Sequence, residues 1–349
     1  MRSTIGGSAE LSRGAPISRR ELLLSLAAAG VALPRAVTGQ SPLGPSLQSV
    51  LPVRVLTLNH VSFGCDDIQQ TIAWYAKVLG IPRHAFQDYG GGGAGQQVLR
   101  SSIDPPAYMA LTQKAAAQIG VPSTGRPHFC FGIADFNVHR ILAALAEMRI
   151  PAESVLREGT TINGVNWDGP DGAPLQFNPV IACGGVGFLG EVCDSSATAV
   201  QRPGDPPPIQ VMTMNHIKYW VTDLDSALEF FLKLTDMQVV TYQEPERGPR
   251  TTGYVGRPIP VLRVGAGPQH LALVEGSGPE RNRMHVGFGV RDFNPDRVMA
   301  RLREHGVTAQ VRMRGGVTPE ILVDGPNNVR IQLQDVSYAG GGGPLGTTL

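Results

Sequence analysis

Four histidines occupy matching places in the two halves of the chain. His60 ends the segment VLTLNH, and His216 ends the similar segment VMTMNH. His128 and His285 open a second pair of matching segments. Imidazole binds metals and exchanges protons near neutral pH. One histidine in a strand is more often structural than functional, but packing alone gives no reason to place imidazole four times. The pattern therefore favours a metal or proton-transfer site.

These histidines belong to an internal repeat. The offset is 156 residues from His60 to His216 and 157 residues from His128 to His285. The turn sequence DGP recurs with the same spacing, at 168–170 and 324–326. An offset held over more than a hundred residues indicates duplication.

The repeat predicts the domain organisation. We expect a first domain over 51–183 and a second over 210–338. The segment 184–209 contains adjacent glycines and three consecutive prolines, which predicts a linker. The glycine-rich residues 339–349 are predicted to form a flexible tail.

Each half divides again into two similar units. After His60, apolar residues at helical spacing follow candidate N-caps at Asp66 and Asp67 and stop at Gly80. Helices with the same pattern follow the other three histidines, and short alternating strands close each unit. The sequence predicts an α+β fold of four tandem βαβββ units. One unit alone leaves an open sheet edge and an apolar face, so the units must pair.

The Asn-His strands, the helix that follows them and the turns DGPDG (168–172) and DGPNN (324–328) resemble the vicinal oxygen chelate superfamily. That superfamily includes glyoxalase I, the fosfomycin- and bleomycin-resistance proteins and the type I extradiol dioxygenases. The resemblance covers nearly all of 51–338. It implies two paired half-barrels, each curled into a cup that holds a divalent metal, here Fe, Mn, Zn or Ni.

The resemblance also implies the metal ligands. In the first half they are His60, His128 and Gln176; in the second they are His216, His285 and Gln332. The third ligand of the family is normally Glu, and both halves have Gln. The position of a further glyoxalase Glu is occupied by Ala110 and Ala272, so a four-ligand glyoxalase site is not expected in either half.

Glutamine changes the chemistry because its carboxamide is neutral and a weaker donor to a hard cation. Metal affinity should fall, while a bound metal becomes a stronger Lewis acid. A dianionic substrate, such as a catecholate or an enediolate, could compensate that charge. Alternatively, the glutamine amide only hydrogen-bonds the histidines, and the cup is metal-free as in the bleomycin-resistance proteins.

A third histidine of the second half, His270, is a candidate proton-transfer residue. His270 lies two residues before Ala272 and therefore on the same face of its strand. It is similar in place to the acid–base histidine of extradiol dioxygenases, and its counterpart in the first half is Tyr108. The tyrosine that accompanies this group in those enzymes has no match near Leu322. Tyr219 and Tyr254 are candidate substitutes.

Composition excludes several classes of protein. The chain has 349 residues and a formal net charge of +1, so it carries no basic footprint for nucleic acid. No apolar stretch reaches the roughly 20 residues that cross a bilayer. The expected partner is a small-molecule substrate or ligand. The sequence does not indicate an oligomeric state.

Residues 1–39 have the features of an export signal. The pair Arg19-Arg20 precedes an apolar run that ends in small residues. The pattern resembles a twin-arginine signal with Leu22 in place of the usual Phe. We therefore expect export to the periplasm or the extracellular space. A Sec signal and a disordered basic arm are the alternatives. The Gly90–Gly93 run predicts either a mobile loop near a cavity mouth or an insertion without a role.

Cysteine use fits an oxidising compartment. Cys183 and Cys193 could close a short loop in the linker, and Cys65 and Cys130 are expected to be buried in strands.

Three hypotheses about function follow. The first is a metal-dependent enzyme, most like an extradiol dioxygenase or a glyoxalase-type protein, with His270 moving a proton in the second cup. The second is a binding protein that sequesters small molecules without turnover. In the third, the first cup is a degenerate copy that only supports the second.

Overall fold

The computed structural model describes residues 51–88, 95–114, 127–156, 162–194, 196–199, 202–245, 256–276 and 284–349. These residues all belong to one unit, Leu47–Leu349. The predicted export signal, the Gly90–Gly93 run and Tyr254 lie outside them. Within these ranges, every helix is too short or too polar to cross a membrane.

The first half contains eight strands and two α-helices. In chain order they are β1 Val55–Cys65, α1 Ile68–Leu79, β2 Arg83–Asp88, β3 Gly95–Ser102, β4 Ala107–Gln113, β5 His128–Ile133, α2 Val138–Glu147, β6 Ala152–Leu156, β7 Ile162–Asp168 and β8 Pro174–Pro179.

The second half repeats this order. Its elements are β9 Val211–Val221, α3 Leu224–Leu234, β10 Gln238–Gln243, β11 Ile259–Arg263, β12 His270–Glu275, β13 His285–Val290, α4 Pro295–Glu304, β14 Ala309–Arg314, β15 Thr318–Asp324 and β16 Arg330–Asp335.

The helices begin and end as their sequences predict. The side chain of Asp67 accepts a hydrogen bond from Gln70 N, and the helix ends at Gly80, whose φ is +67°. Asn137 and Asn294 cap α2 and α4 in the same way, and Pro295 occupies the first turn of α4.

Each half is one eight-stranded sheet. The strand order is β2-β3-β4-β1-β5-β8-β7-β6 in the first half and β10-β11-β12-β9-β13-β16-β15-β14 in the second. The first strands of the two units, β1 with β5 and β9 with β13, pair antiparallel at the centre of each sheet. The predicted α+β fold of four units in two paired half-barrels is confirmed. Because the four histidines lie on these central strands, the fold brings them together in pairs.

The two faces of each sheet differ in chemistry. On β9, Ile217 and Val221 belong to the hydrophobic core, whereas His216 and Lys218 lie on the opposite, concave face, which we call the cup. The core is shared by both halves, and the ring of Tyr219 packs 5.4 Å from that of Phe129. Tyr219 is therefore a core residue, which is the common place for such a tyrosine, and it does not accompany His270 in the cup.

The two DGP turns join the halves to each other. Asp171 accepts a hydrogen bond of 2.7 Å from the backbone N–H of Thr222, just before α3. Asn327 accepts one of 2.9 Å from the N–H of Asp66, just before α1. Each turn therefore satisfies a donor at the start of a helix in the other half.

The cysteines behave as expected. Cys183 and Cys193 form a disulfide with a Cα–Cα distance of 6.3 Å, and Cys65 and Cys130 are buried free thiols. Burial raises the pKa of the Cys65 thiol to about 11, so this thiol stays protonated at neutral pH.

The disulfide should stabilise the fold by restricting the unfolded chain. A loop of this length predicts that the C183S/C193S double variant loses about 2–3 kcal/mol of unfolding free energy, measured by urea denaturation. As a control, thiol titration of the unreduced, denatured protein should find the thiols of Cys65 and Cys130 only. Titration of all the cysteines without reductant would contradict the assignment.

Candidate functional site

In the first cup the two histidines contact each other. His60 Nε2 lies 3.1 Å from His128 Nε2, and both side chains are buried. His60 Nδ1 lies 3.0 Å from the carboxamide oxygen of Asn59, which can only accept a hydrogen bond, so Nδ1 carries the proton. His60 Nε2 then accepts a hydrogen bond from His128 Nε2. The imidazole pair is satisfied without any ligand.

The remaining predicted residues of the first half surround this pair. Tyr108 stacks on His60 with ring centroids 4.4 Å apart, as expected for the counterpart of His270. Gln176 is also buried, on the strand next to β5. The structure thus brings His60, His128 and Tyr108 together, with Gln176 on the adjoining strand.

In the second cup His216 is held in one orientation. Its Nδ1 lies 3.1 Å from the carboxamide oxygen of Asn215 and 3.4 Å from the amide of Gln334. With Nδ1–H donating to Asn215, the other nitrogen, Nε2, presents a lone pair. This Nε2 atom is buried and has no hydrogen-bond partner. Holding one ring nitrogen in this way is the usual means by which proteins orient a metal-binding histidine.

His270 has the same arrangement. It stacks on His216 with ring centroids 4.7 Å apart, and its Nδ1 donates to the carbonyl of Pro268 at 3.0 Å. Its Nε2 is buried and without a hydrogen-bond partner. Burial, followed by the charges of Lys218 and Arg314, lowers the pKa of His270 to about 4, against the raising effect of the Pro268 carbonyl. His270 is therefore neutral at pH 7.

His285 and Gln332 complete the predicted set. His285 Nε2 lies 3.3 Å from Gln332 Oε1, and the rings of His216 and His285 have centroids 5.6 Å apart. The ring of His216 lies over Gly287, where a β-carbon would be 2.1 Å from the imidazole. In the first half Cys130 stands opposite His60 at this register position. Because Gly287 has no side chain, the ring of His216 can lie over it, whereas the side chain of Cys130 stands opposite His60.

The second cup also contains a buried carboxylate that the sequence pattern did not predict. Glu320 is fully buried on β15 and accepts hydrogen bonds from Arg314 Nε at 2.6 Å and Arg312 Nε at 2.7 Å. Burial alone would raise the pKa of Glu320, but Arg314, Arg312 and Lys218 lower it below its ordinary value of 4.5. The repeat offers a signal for this residue, because the equivalent position in the first half is Gly164.

Tyr338 was also missed, because the sequence places it at the end of the second domain. Its ring lies 5.8 Å from that of His216 and 5.6 Å from that of His270. Its hydroxyl donates to Glu320 Oε1 at 2.6 Å, and its carbonyl accepts from Asn215 Nδ2 at 2.7 Å. Burial, and then the Glu320 carboxylate, raise the pKa of the phenol, so it remains a hydrogen-bond donor.

The second cup contains several charged side chains. Lys218 is buried on the cup face of β9, and Arg312 and Arg314 form ion pairs with the buried Glu320 carboxylate. The pKa of His216 lies well below its ordinary value, chiefly through burial and then through His270, His285 and Lys218. His216 and His270 are therefore neutral imidazoles rather than cations.

His216, His285 and Gln332 fit a divalent metal ion in donor type. Two imidazoles and a carboxamide oxygen are accepted ligands, and the bare Nε2 of His216 requires a partner. Within the part of the chain described, no three His, Cys, Asp or Glu side chains are grouped to hold a metal. A metal bound here would therefore have only neutral protein ligands, as the glutamines imply.

Comparison with known proteins places this geometry among relatives. The family model of the Glyoxalase/Bleomycin resistance protein/Dioxygenase superfamily matches residues 57–177 and 213–333. A comparison with curated proteins found no match.

Three solved structures share the fold. An extradiol ring-cleaving dioxygenase from B. fuscum aligns with a TM-score of 0.55 at 16% identity, covering 82% of this chain and 74% of that one. A catechol 2,3-dioxygenase aligns with a TM-score of 0.52 at 14% identity, covering 80% of this chain and 87% of that one. The 2,3-dioxygenase LapB from Pseudomonas sp. KL28 aligns with a TM-score of 0.55 at 14% identity, covering 81% of this chain and 92% of that one. Identities this low show likeness of fold alone.

The buried Glu320 cluster generates a test of stability. Replacing Glu320 by Gln leaves two arginines without their carboxylate, so the unfolding free energy at pH 7 should fall by about 3–5 kcal/mol. Urea denaturation measures this loss. The matched control Glu304→Gln, at an exposed ion pair with Arg301, should cost less than about 1 kcal/mol.

The same cluster predicts a pH dependence. Because the pKa of Glu320 is lower in the folded chain than its ordinary value of 4.5, its contribution is complete above that pH and falls as the pH drops below it. The stability difference between the natural chain and Glu320→Gln should therefore shrink below pH 4.5. A difference that stays constant from pH 7 to pH 3 would contradict the assigned charge of Glu320.

Proposed function

Because the chain belongs to the Glyoxalase/Bleomycin resistance protein/Dioxygenase superfamily, we propose that its second cup is a metal-dependent catalytic site. Its substrate would be a small molecule that chelates through two vicinal oxygens. The observation that carries the proposal is the Nε2 atom of His216, which is buried, oriented by Asn215 and without a hydrogen-bond partner. A buried polar atom without a partner needs an explanation, and a bound ligand at His216 Nε2 would supply one.

The residues that would hold the ion are His216, His285 and Gln332. A divalent ion bound there would act as a Lewis acid that stabilises negative charge developing on a substrate oxygen. Asn215 fixes the ring of His216, and Gly287 leaves room for it. Fe, Mn, Zn and Ni remain the candidate metals.

His270 is the proposed proton-transfer residue. Its Nδ1–H is committed to the carbonyl of Pro268, so only Nε2 can take a proton. That atom faces the same cup as His216, because the two rings are stacked. His270 would accept a proton at Nε2 from a substrate hydroxyl, and the Pro268 carbonyl would stabilise the resulting imidazolium.

The neutral ligand set supports an anionic substrate. The proposed metal ligands are two imidazoles and a carboxamide, so a bound divalent ion would keep its full positive charge. A dianion such as a catecholate or an enediolate would balance this charge. The structural neighbours are dioxygenases, which agrees with this class of substrate without establishing it.

The first cup is proposed to be a structural copy. His60 and His128 satisfy each other at 3.1 Å, and the segment after β8 is held by the disulfide Cys183–Cys193. His60→Ala should therefore affect stability and leave the activity of the second cup unchanged.

A second candidate is a binding protein without turnover. The observation that favours it is the glutamine at the third ligand position of both cups, since a neutral carboxamide is a weaker donor to a hard cation than a carboxylate. Under either function we propose an exported protein with a signal at 1–39, domains at 51–183 and 210–338 and a linker between them.

Metal analysis separates the two candidates. Purified protein should contain close to one equivalent of Fe, Mn, Zn or Ni, and oxygen uptake or product formation should appear in a screen of catechols and 2-oxoaldehydes. His216→Ala and His285→Ala should each lose the metal and the activity, since each removes one of three donors. The control His139→Ala, at an exposed position on α2, should retain both.

A less disruptive pair of variants tests the geometry. Gly287→Ala pushes the ring of His216 aside and should lower metal content, whereas Gly267→Ala has open space around it and should not. If the histidine variants and Gly287→Ala leave metal content and activity unchanged, the enzyme proposal for the second cup is wrong.

A further inference from the structure

We propose that residues 337–349, here called the C-terminal strap, are a displaceable cover that closes the second cup. A ligand would reach His216 and His270 only after Tyr338 has left its place. This inference rests on the proposed function, because it concerns access to the same site. It adds a barrier that neither the family relationship nor the sequence pattern indicates.

The strap fills the cup with a side chain of its own. Tyr338 is 1% exposed, and its ring packs beside both His216 and His270. Its hydroxyl is held by Glu320 and also accepts a hydrogen bond from Gln243 Nε2 at 3.2 Å. The phenol therefore occupies space beside both imidazole rings.

The backbone of the strap closes the remaining opening. The Gly340 carbonyl accepts a hydrogen bond from Gln243 Nε2 at 3.1 Å. A β-carbon on Gly340 would lie 3.0 Å from His270 Nε2. Only a glycine lets the chain pass so close to His270, and with the strap in place no substrate fits between them.

Beyond Gly340 the strap is held loosely. It folds back on itself through a bridge between Gly342 and Thr348, and Thr318 Oγ1 donates to the Gly343 carbonyl. Leu345 and Leu349 are about half exposed. A segment with so few buried contacts should open at lower free energy than the sheet beneath it.

The first half has a matching segment that is fixed. Asn59 Nδ2 donates to the Ala182 carbonyl at 2.7 Å, as Asn215 does to Tyr338, and Gln87 donates to Gly184 as Gln243 does to Gly340. There, however, the disulfide Cys183–Cys193 ties the segment into a closed loop. The C-terminal strap contains no cysteine, so its closure depends on non-covalent contacts.

Chemical labelling of His270 tests access directly. Diethylpyrocarbonate modifies neutral, accessible imidazole, and mass spectrometry of peptides gives the rate at each histidine. In the full chain, His270 should react at least about tenfold more slowly than in a variant lacking residues 338–349, because opening of the strap limits the reaction. Exposed His139 serves as the internal standard.

Two further variants keep the test decisive. Tyr338→Phe removes the hydrogen bond to Glu320 and keeps the ring, so labelling of His270 should rise to an intermediate rate. The C183S/C193S variant releases only the first-half segment and should leave labelling of His270 unchanged. Circular dichroism of each variant checks that the sheets remain folded.

The outcomes separate this inference from the proposed function. Equal labelling of His270 in the full chain and in the deletion variant would overturn the cover. Faster labelling in the deletion variant supports the cover, whether or not Zn²⁺ or Co²⁺ binds. If the labelling supports the cover but neither metal binds to the full chain or to the deletion variant, the proposed metal-dependent function is wrong and the cover is still supported.

Discussion

The arrangement of the second cup depends on one carboxamide. The oxygen of Asn215 holds the Nδ1–H of His216, and its nitrogen holds the carbonyl of Tyr338. Asparagine can do both because it has an acceptor and donors on one short side chain. The same contacts from Asn59 to His60 and Ala182 recur in the first half. One residue therefore orients a histidine and fastens the segment that covers it.

Both halves contain this pair of asparagine and histidine, but the residues around the histidine differ. In the first cup His60 and His128 satisfy each other, Tyr108 stacks on His60 and Cys130 occupies the register position opposite His60. In the second, His270 replaces the tyrosine and Gly287 replaces the cysteine, so buried lone pairs remain without partners. Glu320, where the first half has Gly164, neutralises part of the positive charge and holds the covering phenol. In the described residues, the two copies of the repeat therefore differ in whether the buried imidazole on the first strand has a hydrogen-bond partner at Nε2.

Local patterns allowed much of the fold to be predicted. The repeat, the caps at Asp67 and Asn294 and the strands that carry the histidines all depend on short-range periodicity, and the structure confirms them. Glu320 and Tyr338 were missed because a buried ion pair and a covering ring are defined by contacts between distant strands. Tyr219 was misjudged because alternation along β9 places it on the core face, a consequence of register that its residue type does not show. Asp171 and Asn327 each accept a hydrogen bond from a backbone N–H in the other half. These contacts were not predicted either, because the sequence of a turn does not show which half the turn contacts.

The most direct test of metal binding in the second cup is anomalous X-ray scattering from crystals grown with Co²⁺. The account predicts one peak per chain within bonding distance of His216 Nε2 and His285 Nε2, with Gln332 Oε1 turned toward it and no peak between His60 and His128. Crystals in which the second cup shows no peak, and His216 keeps its orientation with a water or a side chain at Nε2, would contradict it.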